Sequence, residues 1–411
     1  MVKRNLKRPL TALLLLAVMT AGQGTPWPAP NLKRACKTLE VCYVAHILAP
    51  DIDVMKSLAE KWNRVWGSRR FRVEVIDIDR ESFLLWLLRS GSPKPDLVLV
   101  TNFNIAALSR YLLPLNLSTL RDVYPQALRS VEVDGKVYGV PIHVVFPLLI
   151  YRRDLIRSPP RTWEEALDLA TSFTRAYNSS SPTDYGMAIY SLKGRHGAVV
   201  WQSIIESMKG SELNLANMTS REMVRYLELY GRYVKGKYSY PSSYNQEFSQ
   251  LNRFFERGEV AMLIQWSFAL KELLGHFDES SIGVAPLPTL REGARPISRL
   301  YTAAFAVNKR SPCLKEALLF LKYLTSAEAL EALLTEGALP PYLSLAERSR
   351  GLAKSLYAIL SENTEPAFNW VESNSFYESL STYIHWFLEG RINASEALAL
   401  FFSEWKIVRR A

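Results

Sequence analysis

Aromatic residues at the ends of predicted strands are the side chains of this chain best suited to bind a small molecule. Six of them lie in loops, at strand ends or where helical patterns break: Trp201, Trp266, Phe268, Tyr301, Trp370 and Phe376. Planar rings can cover the apolar C–H faces of a sugar, while Asn, Gln, Asp or His side chains bind its hydroxyl groups. Such sites are concave and lie at domain interfaces. Packing in an apolar core is the alternative for each ring.

Motifs of catalysis and metal binding are missing from the sequence. It contains no HExxH, paired CxxC, GxSxG or GxGxxG pattern, and its five His residues lack metal-ligand spacing. The segment 231–238 (GRYVKGKY) nearly matches a phosphate-binding loop, but it ends in Tyr238, where Ser or Thr would bind magnesium, and it follows a helical pattern. An enzymatic function therefore has no positive support in the sequence, and we expect a non-catalytic protein without cofactor or metal.

The charge pattern argues against a nucleic-acid partner. The 411 residues carry a formal net charge of +10, and the basic residues are scattered, with no run longer than a pair. Nucleic-acid binding usually shows as a clustered basic stripe. The length predicts two or three domains.

The N-terminus has the layout of an export signal. A basic segment, 1–8, precedes the apolar stretch 10–19, and small residues follow at 21–24. This pattern predicts a signal peptide over 1–24, or an uncleaved anchor. Residues 25–35 begin with three prolines in seven residues and are interpreted as a stiff tether. The chain is thus expected outside the cell, at the outer face of the cytoplasmic membrane.

Two interpretations of the cysteines stay open. In an exported protein, Cys36 and Cys42 could close a small disulfide loop. Alternatively, Cys42 is a buried residue of the predicted strand 39–44.

Elements that would position these residues follow from the hydrophobic periodicity. A strand over 39–44, a helix over 51–66, a strand over 71–78, a helix over 81–89 and a strand over 97–100 predict a parallel α/β sheet. Asp134-Gly135 predicts a hairpin turn. Further strands are predicted over 144–151, 259–265, 281–285 and 303–307, and capping boxes at Thr162, Thr219 and Thr325.

Several short segments resemble one protein family. They are 133–141 (VDGKVYGVP), 149–155 (LIYRRDL), 159–166 (PPRTWEEA), 255–262 (FERGEVAM), 282–288 (IGVAPLP), 307–309 (VNK) and 316–326 (EALLFLKYLTS). In this order the chain resembles extracellular solute-binding proteins of ATP-driven importers, in the carbohydrate branch that includes maltose-binding protein. The resemblance covers about residues 39 to 345.

The resemblance implies an α/β fold with two lobes, of the periplasmic-binding-protein type, joined by a hinge around an interlobe ligand cleft. The first lobe would comprise 36–145 and 300–340, and the second 146–299 and 341–411. The implied partners are a carbohydrate ligand and the membrane-spanning permease subunits of an ABC transporter, with the binding protein itself a monomer. Closure by rotation of the lobes is a known switching mode.

Positions of the family's ligand contacts map unevenly onto this chain. The resemblance assigns His46 and the pair Asn102 and Asn104 to loops after the first and third predicted strands, and Trp201 to an aromatic position of the cleft. Where relatives often have an NGPW loop, this chain has Gln265-Trp266-Ser267-Phe268, so the identity of the sugar stays open. Trp370 and Phe376 lie in the late stretch where relatives place another stacking ring.

Two alternative functions remain at this stage. A binding protein for a polyamine, a metal or another small solute would need an acidic or Tyr-rich cleft. A secreted carbohydrate-active enzyme would need two cleft carboxylates about 5–10 Å apart.

Overall fold

Twelve strands are present in the part of the chain that the computed structural model describes, namely residues 36–44, 52–67, 70–78, 84, 88, 95–116, 120–241, 243–335 and 339–408. They are β1 (Thr38–Val44), β2 (Arg72–Ile78), β3 (Leu97–Thr101), β4 (Glu132–Val133), β5 (Lys136–Val137), β6 (Val140–Val145), β7 (Pro147–Arg152), β8 (Tyr185–Ile189), β9 (Val260–Trp266), β10 (Ile282–Ala285), β11 (Ser298–Val307) and β12 (Thr364–Pro366). The predicted signal segment, the tether and His46 lie outside the described residues.

Helices of the same ranges alternate with these strands. They are α1 (Ile52–Trp66), α2 (Ile105–Leu108), α3 (Pro125–Ser130), α4 (Trp163–Ser172), α5 (Arg195–Lys209), α6 (Arg221–Lys235), α7 (Phe248–Glu256), α8 (Ala269–Leu273), α9 (Leu314–Leu324), α10 (Ala327–Thr335), α11 (Leu343–Arg348), α12 (Gly351–Asn363), α13 (Ser373–Leu388) and α14 (Ala394–Val408). Among the described residues, no helix is long and apolar enough to span a membrane.

The first sheet has the order β12-β11-β3-β1-β2, with β6 also paired to β11. Strand β1 pairs in parallel with both β2 and β3, as the alternating pattern predicts, whereas β11 pairs antiparallel with β3 and β6. Every residue of β3 and β11 is buried. This sheet and the helices packed on it are called the first lobe.

The second sheet has the order β10-β7-β9-β8. Strand β7 lies antiparallel to β9 and β10, and β8 runs parallel to β9. All seven residues of β9 are buried, as expected for its apolar run 260–264. This sheet, with α4 to α8, α13 and α14, is called the second lobe.

Three crossings connect the two sheets within the described ranges. Strand β6 passes directly into β7 through Phe146, and β10 leads through residues 286–297 into β11. The third crossing runs from β12, which pairs with β11, into α13, which packs on α5. The two sheets are therefore joined by three separate chain segments.

Local sequence signals are confirmed in part. Asp134 and Gly135 form the predicted hairpin turn with φ of 49° and 73°, and Thr162 caps α4 in a full capping box with Glu165. The other two capping boxes were wrong by one residue: Ser220, not Thr219, accepts the hydrogen bond from the Met223 amide, and Ser326 accepts from Ala329. Where Thr and Ser are adjacent, either hydroxyl can cap, and the pattern alone does not choose between them.

The cysteine alternatives are resolved in favour of a buried strand residue. Cys42 is a free, buried thiol in β1, and burial raises its pKa to about 12. Cys36 and Cys313 are the disulfide-bonded cysteines. The prediction of a Cys36–Cys42 loop was therefore wrong, because Cys42 points into the core of the first lobe.

Candidate ligand-binding site between the two sheets

Two aromatic residues of the first lobe meet at the carboxyl end of β3. Phe103 lies two residues after the end of this strand, and its ring centroid lies 5.4 Å from that of Tyr301 in β11. The two strands are paired from Thr101 to Leu97, so the sheet itself brings the rings together. In α/β sheets this edge, outside the carboxyl ends of parallel strands, is where ligands bind.

The second lobe supplies a matching group of rings. Tyr190, which follows β8, stacks on Phe248 at 4.2 Å, and Phe248 meets Phe268 edge-on at 5.0 Å. The imidazole of His196, at the start of α5, lies 5.9 Å from Phe248 and 6.1 Å from Trp266. These rings lie just after β8, at and just after the end of β9, and in the first turns of α5 and α7.

The two groups touch across the junction of the lobes. His196 lies 6.3 Å from Tyr301, and the guanidinium of Arg195 lies 5.3 Å above the ring of Phe103. A further ring, Tyr377 of α13, meets Phe103 edge-on at 5.5 Å. We call these eight rings the aromatic chain: Tyr190, Phe268, Phe248, Trp266, His196, Tyr301, Phe103 and Tyr377; at Tyr377 it adjoins a second group of rings that includes Phe376, 5.4 Å away.

Helix α13 positions the start of α5, and with it His196. Gly194 precedes α5 with φ of 127°, and its amide donates to the hydroxyl of Ser381 at 2.6 Å. The Arg195 amide donates to Glu378 at 3.2 Å, and its guanidinium to Asn374 at 3.0 Å. A carboxylate at a helix N-terminus also suits the positive end of the helix dipole.

Solvent reaches only part of the aromatic chain. Only His196 and Phe268 of the aromatic chain are partly exposed, and the other six rings are almost fully buried. Asn104, which follows Phe103, and Arg195, which precedes His196, are partly exposed as well. The accessible face therefore combines an amide, a guanidinium, an imidazole and an aromatic ring. Such a face can stack on an apolar surface and form hydrogen bonds around it, which are the two requirements of a sugar site.

The predicted amide residues have mixed placements. The side-chain oxygen of Asn102 accepts from the Thr302 amide at 3.0 Å, and that of Asn104 from the Thr101 amide at 2.8 Å. Asn102 is fully buried, and its Nδ2 has no hydrogen-bond partner in the described part of the chain. Gln265 is fully buried as well and accepts from the Trp266 amide. These amides hold strand ends in place, and only Asn104 reaches solvent.

The predicted rings divide into two sets. Trp266, Phe268 and Tyr301 belong to the aromatic chain. Trp201 is fully buried within α5. Trp370 and Phe376 pack mainly with α14: the ring of Phe376 lies 5.2 Å from Phe401 and 5.0 Å from Trp405, and it touches the aromatic chain only through Tyr377, at 5.4 Å. Sequence-based reasoning missed Phe103, Tyr190, Arg195, His196, Phe248 and Tyr377.

Some of the missed residues carried a weak local signal. Phe103 lies between the two predicted amides, and His196 follows a glycine at a helix start. Tyr377 is adjacent to the predicted Phe376 but lies on another face of α13, which the helical pattern there does not distinguish. Among the described residues, no group of three His, Cys, Asp or Glu side chains could hold a metal ion.

The chain matches the model of the family described as bacterial extracellular solute-binding protein over residues 87–331, and it belongs to that family. This confirms the family suggested by the sequence motifs. Among curated relatives, the maltodextrin-binding protein MdxE of Bacillus subtilis is 28% identical over 214 residues, which span 48% of this chain and 49% of that protein. This match thus covers about half the length of the relative. A probable ABC transporter-binding protein of Deinococcus radiodurans is 22% identical over 329 residues, 74% of this chain and 76% of that one.

Solved structures of similar shape establish the two-lobed α/β fold. The maltose-bound MalE3 of T. maritima matches with a TM-score of 0.77 at 20% identity, covering 91% of this chain and 100% of that chain. The maltotriose-binding protein of Thermus thermophilus, bound to maltotriose, matches with a TM-score of 0.71 at 19% identity, covering 90% and 99%. The predicted periplasmic-binding-protein-like fold is therefore confirmed.

Proposed function

We propose that this protein is the extracellular substrate-binding component of an ABC importer, and that it captures a sugar or oligosaccharide between its two lobes. The observation that carries the proposal is the contact of His196 in the second lobe with Tyr301 in the first, within an aromatic chain. A ligand at this junction would touch both lobes and so would favour their closed arrangement.

The chemistry of the accessible face supports a carbohydrate. Phe268 offers a ring for stacking, and Asn104, Arg195 and His196 offer donors and acceptors for hydroxyl groups. The names of two similar proteins mention maltodextrin and maltotriose as ligands. Linear glucose oligosaccharides are accordingly the first compounds to test.

Delivery of the ligand would follow from the hinge. The three crossings leave the lobes free to rotate about strand segments and the start of α13, as in other hinge closures. The closed form would be recognised by the membrane-spanning permease subunits, and ATPases on the cytoplasmic side would drive transport. The predicted export segment 1–24 would place the protein outside the cytoplasmic membrane.

A thermal-shift series tests ligand binding directly. Maltose, maltotriose and maltotetraose are added to the purified chain, and glucose and spermidine serve as competing classes. A ligand at 100 times its dissociation constant stabilises the folded state by about 2.7 kcal/mol. A rise in melting temperature with spermidine and with none of the sugars would contradict the proposal.

A matched pair of variants locates the site. Phe268→Ala removes the accessible ring, whereas Tyr177→Ala removes a ring that is 53% exposed and is not part of the aromatic chain. We expect weaker sugar binding only for Phe268→Ala. Equal affinities of the two variants would place the ligand elsewhere.

Turnover is the second measurement. A binding protein releases its sugar unchanged, so incubation with maltotetraose should produce no new reducing ends. Steady release at enzyme-like rates would contradict the proposal and favour a secreted carbohydrate-active enzyme.

A further inference from the structure

A fully buried ion pair lies behind the aromatic chain. The guanidinium of Arg299, at the start of β11, donates to both carboxylate oxygens of Glu206 in α5, with two distances of 2.5 Å. The side chains are 2% and 0% exposed. Burial by itself would lower the pKa of Arg299, but the attraction of Glu206 outweighs it and raises this pKa above its usual value. The two parallel hydrogen bonds fix the geometry of the pair.

Arg299 also joins the segments that cross between the lobes. Its Nη1 donates to the Pro366 carbonyl of β12 at 2.7 Å, and its guanidinium lies 5.5 Å above the ring of Phe368. The Arg299 amide donates to Ser203 in α5 at 2.8 Å. One residue thus ties the second and third crossings to α5.

Gln202 connects this pair to the aromatic chain. Its Nε2 donates to Glu206 at 3.0 Å, and its Oε1 accepts from the hydroxyl of Tyr377 at 2.6 Å. That hydroxyl also accepts from the Phe368 amide at 3.1 Å. An amide side chain has a donor and an acceptor group, so Gln202 can donate to the carboxylate and accept from the phenol at once. All members of this buried polar network are matched to their neighbours.

The hydroxyl of Tyr377 is used entirely by these bonds, so its ring is what faces Phe103. The two rings meet edge-on at 83° and 5.5 Å, and Phe103 then contacts Tyr301. Tyr377 is fully buried and so does not reach a ligand in this arrangement. Its contact with Phe103 connects the polar network to the first-lobe wall of the candidate site, by which we mean the rings of Phe103 and Tyr301.

We propose that Gln202 is a positioning residue of the ligand site: held by the Glu206–Arg299 pair, it orients Tyr377, which in turn fixes Phe103 and the first-lobe wall. The part that concerns affinity rests on the proposed function, whereas the part that concerns the orientation of Phe103 does not. The residue would act without touching the ligand, through two side chains in series.

Three variants test this proposal. Gln202→Leu removes both bonds of the amide, and Tyr377→Phe removes only the hydroxyl. The matched control is Tyr357→Phe, which deletes another buried tyrosine hydroxyl, one that donates to the Pro340 carbonyl at 2.8 Å outside the network. If Gln202→Leu does not fold, Tyr377→Phe alone is compared with the control Tyr357→Phe.

The first readout is the ¹⁹F-NMR signal of 4-fluorophenylalanine placed at position 103. We expect a shifted or broadened resonance in Gln202→Leu and Tyr377→Phe and an unchanged one in Tyr357→Phe. This measurement needs no sugar. A resonance that is unchanged in both network variants would overturn the proposal, even in a protein that binds sugar well.

The second readout is the affinity for maltotriose. Loss of a buried hydrogen bond that positions the wall is expected to weaken binding about tenfold in Gln202→Leu and Tyr377→Phe, with no change in Tyr357→Phe. Unchanged affinity in all three variants would overturn the role of Gln202 in binding. If the unmodified protein binds no sugar, the proposed function fails, while the ¹⁹F measurement still decides the orientation of Phe103.

Discussion

The aromatic chain and the polar network of Arg299, Glu206, Gln202 and Tyr377 adjoin at one residue but are held together by different forces. The aromatic chain consists of pairwise ring contacts, each worth about 0.5–1.5 kcal/mol beyond its buried area. The polar network depends on directional bonds to two charged groups that are almost completely buried. Removing one partner of a buried ion pair costs about 3–5 kcal/mol, because the other charge is left uncompensated.

The two sets of contacts are therefore suited to different roles at the junction of the lobes. Ring contacts are weakly directional, so lobes that meet through them can part and close again. A buried network of charges loses much more when its geometry changes, so it suits the hinge, where Arg299 of β11 is joined to Glu206 of α5. The contact of Tyr377 with Phe103 is where the polar network supports the part that would face a ligand.

The largest effect is expected from breaking the ion pair. Glu206→Leu would leave Arg299 with only Glu212, which is 58% exposed, as its carboxylate partner among the described residues. The free energy of unfolding, measured with urea, should fall by about 3–5 kcal/mol. The control is Asp184→Ala, which removes an exposed ion pair with Arg175 at 2.7 Å and should cost less than about 1 kcal/mol. Equal losses of unfolding free energy in the two variants would show that the buried ion pair stabilises the fold no more than the exposed one.

The next effect distinguishes buried from accessible rings of the aromatic chain. Trp266 is fully buried, so Trp266→Ala should lower stability by about 3–5 kcal/mol. Phe268 is partly exposed, so Phe268→Ala should lower stability less and sugar affinity by about 2–4 kcal/mol if the ring is a binding hot spot. Melting temperature and dissociation constant are measured for both variants. A Phe268→Ala protein that melts early and binds normally would assign this ring to the core.

A smaller effect is expected from His143, a buried polar side chain outside the polar network. His143 in β6 is 3% exposed, neither ring nitrogen has a hydrogen-bond partner in the described part of the chain, and burial lowers its pKa to about 3. The unfolded chain therefore binds the proton first, at a pKa of about 6.5. Stability is fully present above that pH and is lost as the pH falls towards 3.

Urea unfolding at pH 7.5 and pH 5.0 checks this pH dependence. His143 should contribute a loss of about 2 kcal/mol between the two pH values. In His143→Leu this part of the loss should vanish, while the part due to His385, whose pKa is also lowered by burial, remains. The same pH dependence in both proteins would refute the assignment.

The smallest effect is expected outside both regions. Deleting residues 1–24 removes the predicted export segment, so the melting temperature and the cooperativity of unfolding should not change. Differential scanning calorimetry of the two chain lengths makes the comparison. A truncated chain without a cooperative transition would show that the segment is part of the fold.

Much of the local structure was predictable because it depends on neighbouring residues. The strands and helix before residue 101, the turn at Asp134-Gly135 and the cap of α4 by Thr162 follow from periodicity and from short-range hydrogen bonds. The family also followed from short motifs in a fixed order. Even here, adjacent Thr and Ser at the starts of α6 and α10 left the cap ambiguous by one residue.

What only the tertiary structure decided is which of these residues meet. Phe103, His196, Tyr301 and Tyr377 are separated by up to hundreds of positions, and they come together because β11 returns to β3 and α13 returns to α5. Likewise, Tyr377 and not its neighbour Phe376 faces Phe103, since the packing of α13 between α5 and α14 fixes its rotation. A sequence pattern records which side chains are available, whereas contacts between distant residues depend on the order of the strands and on the crossings between lobes.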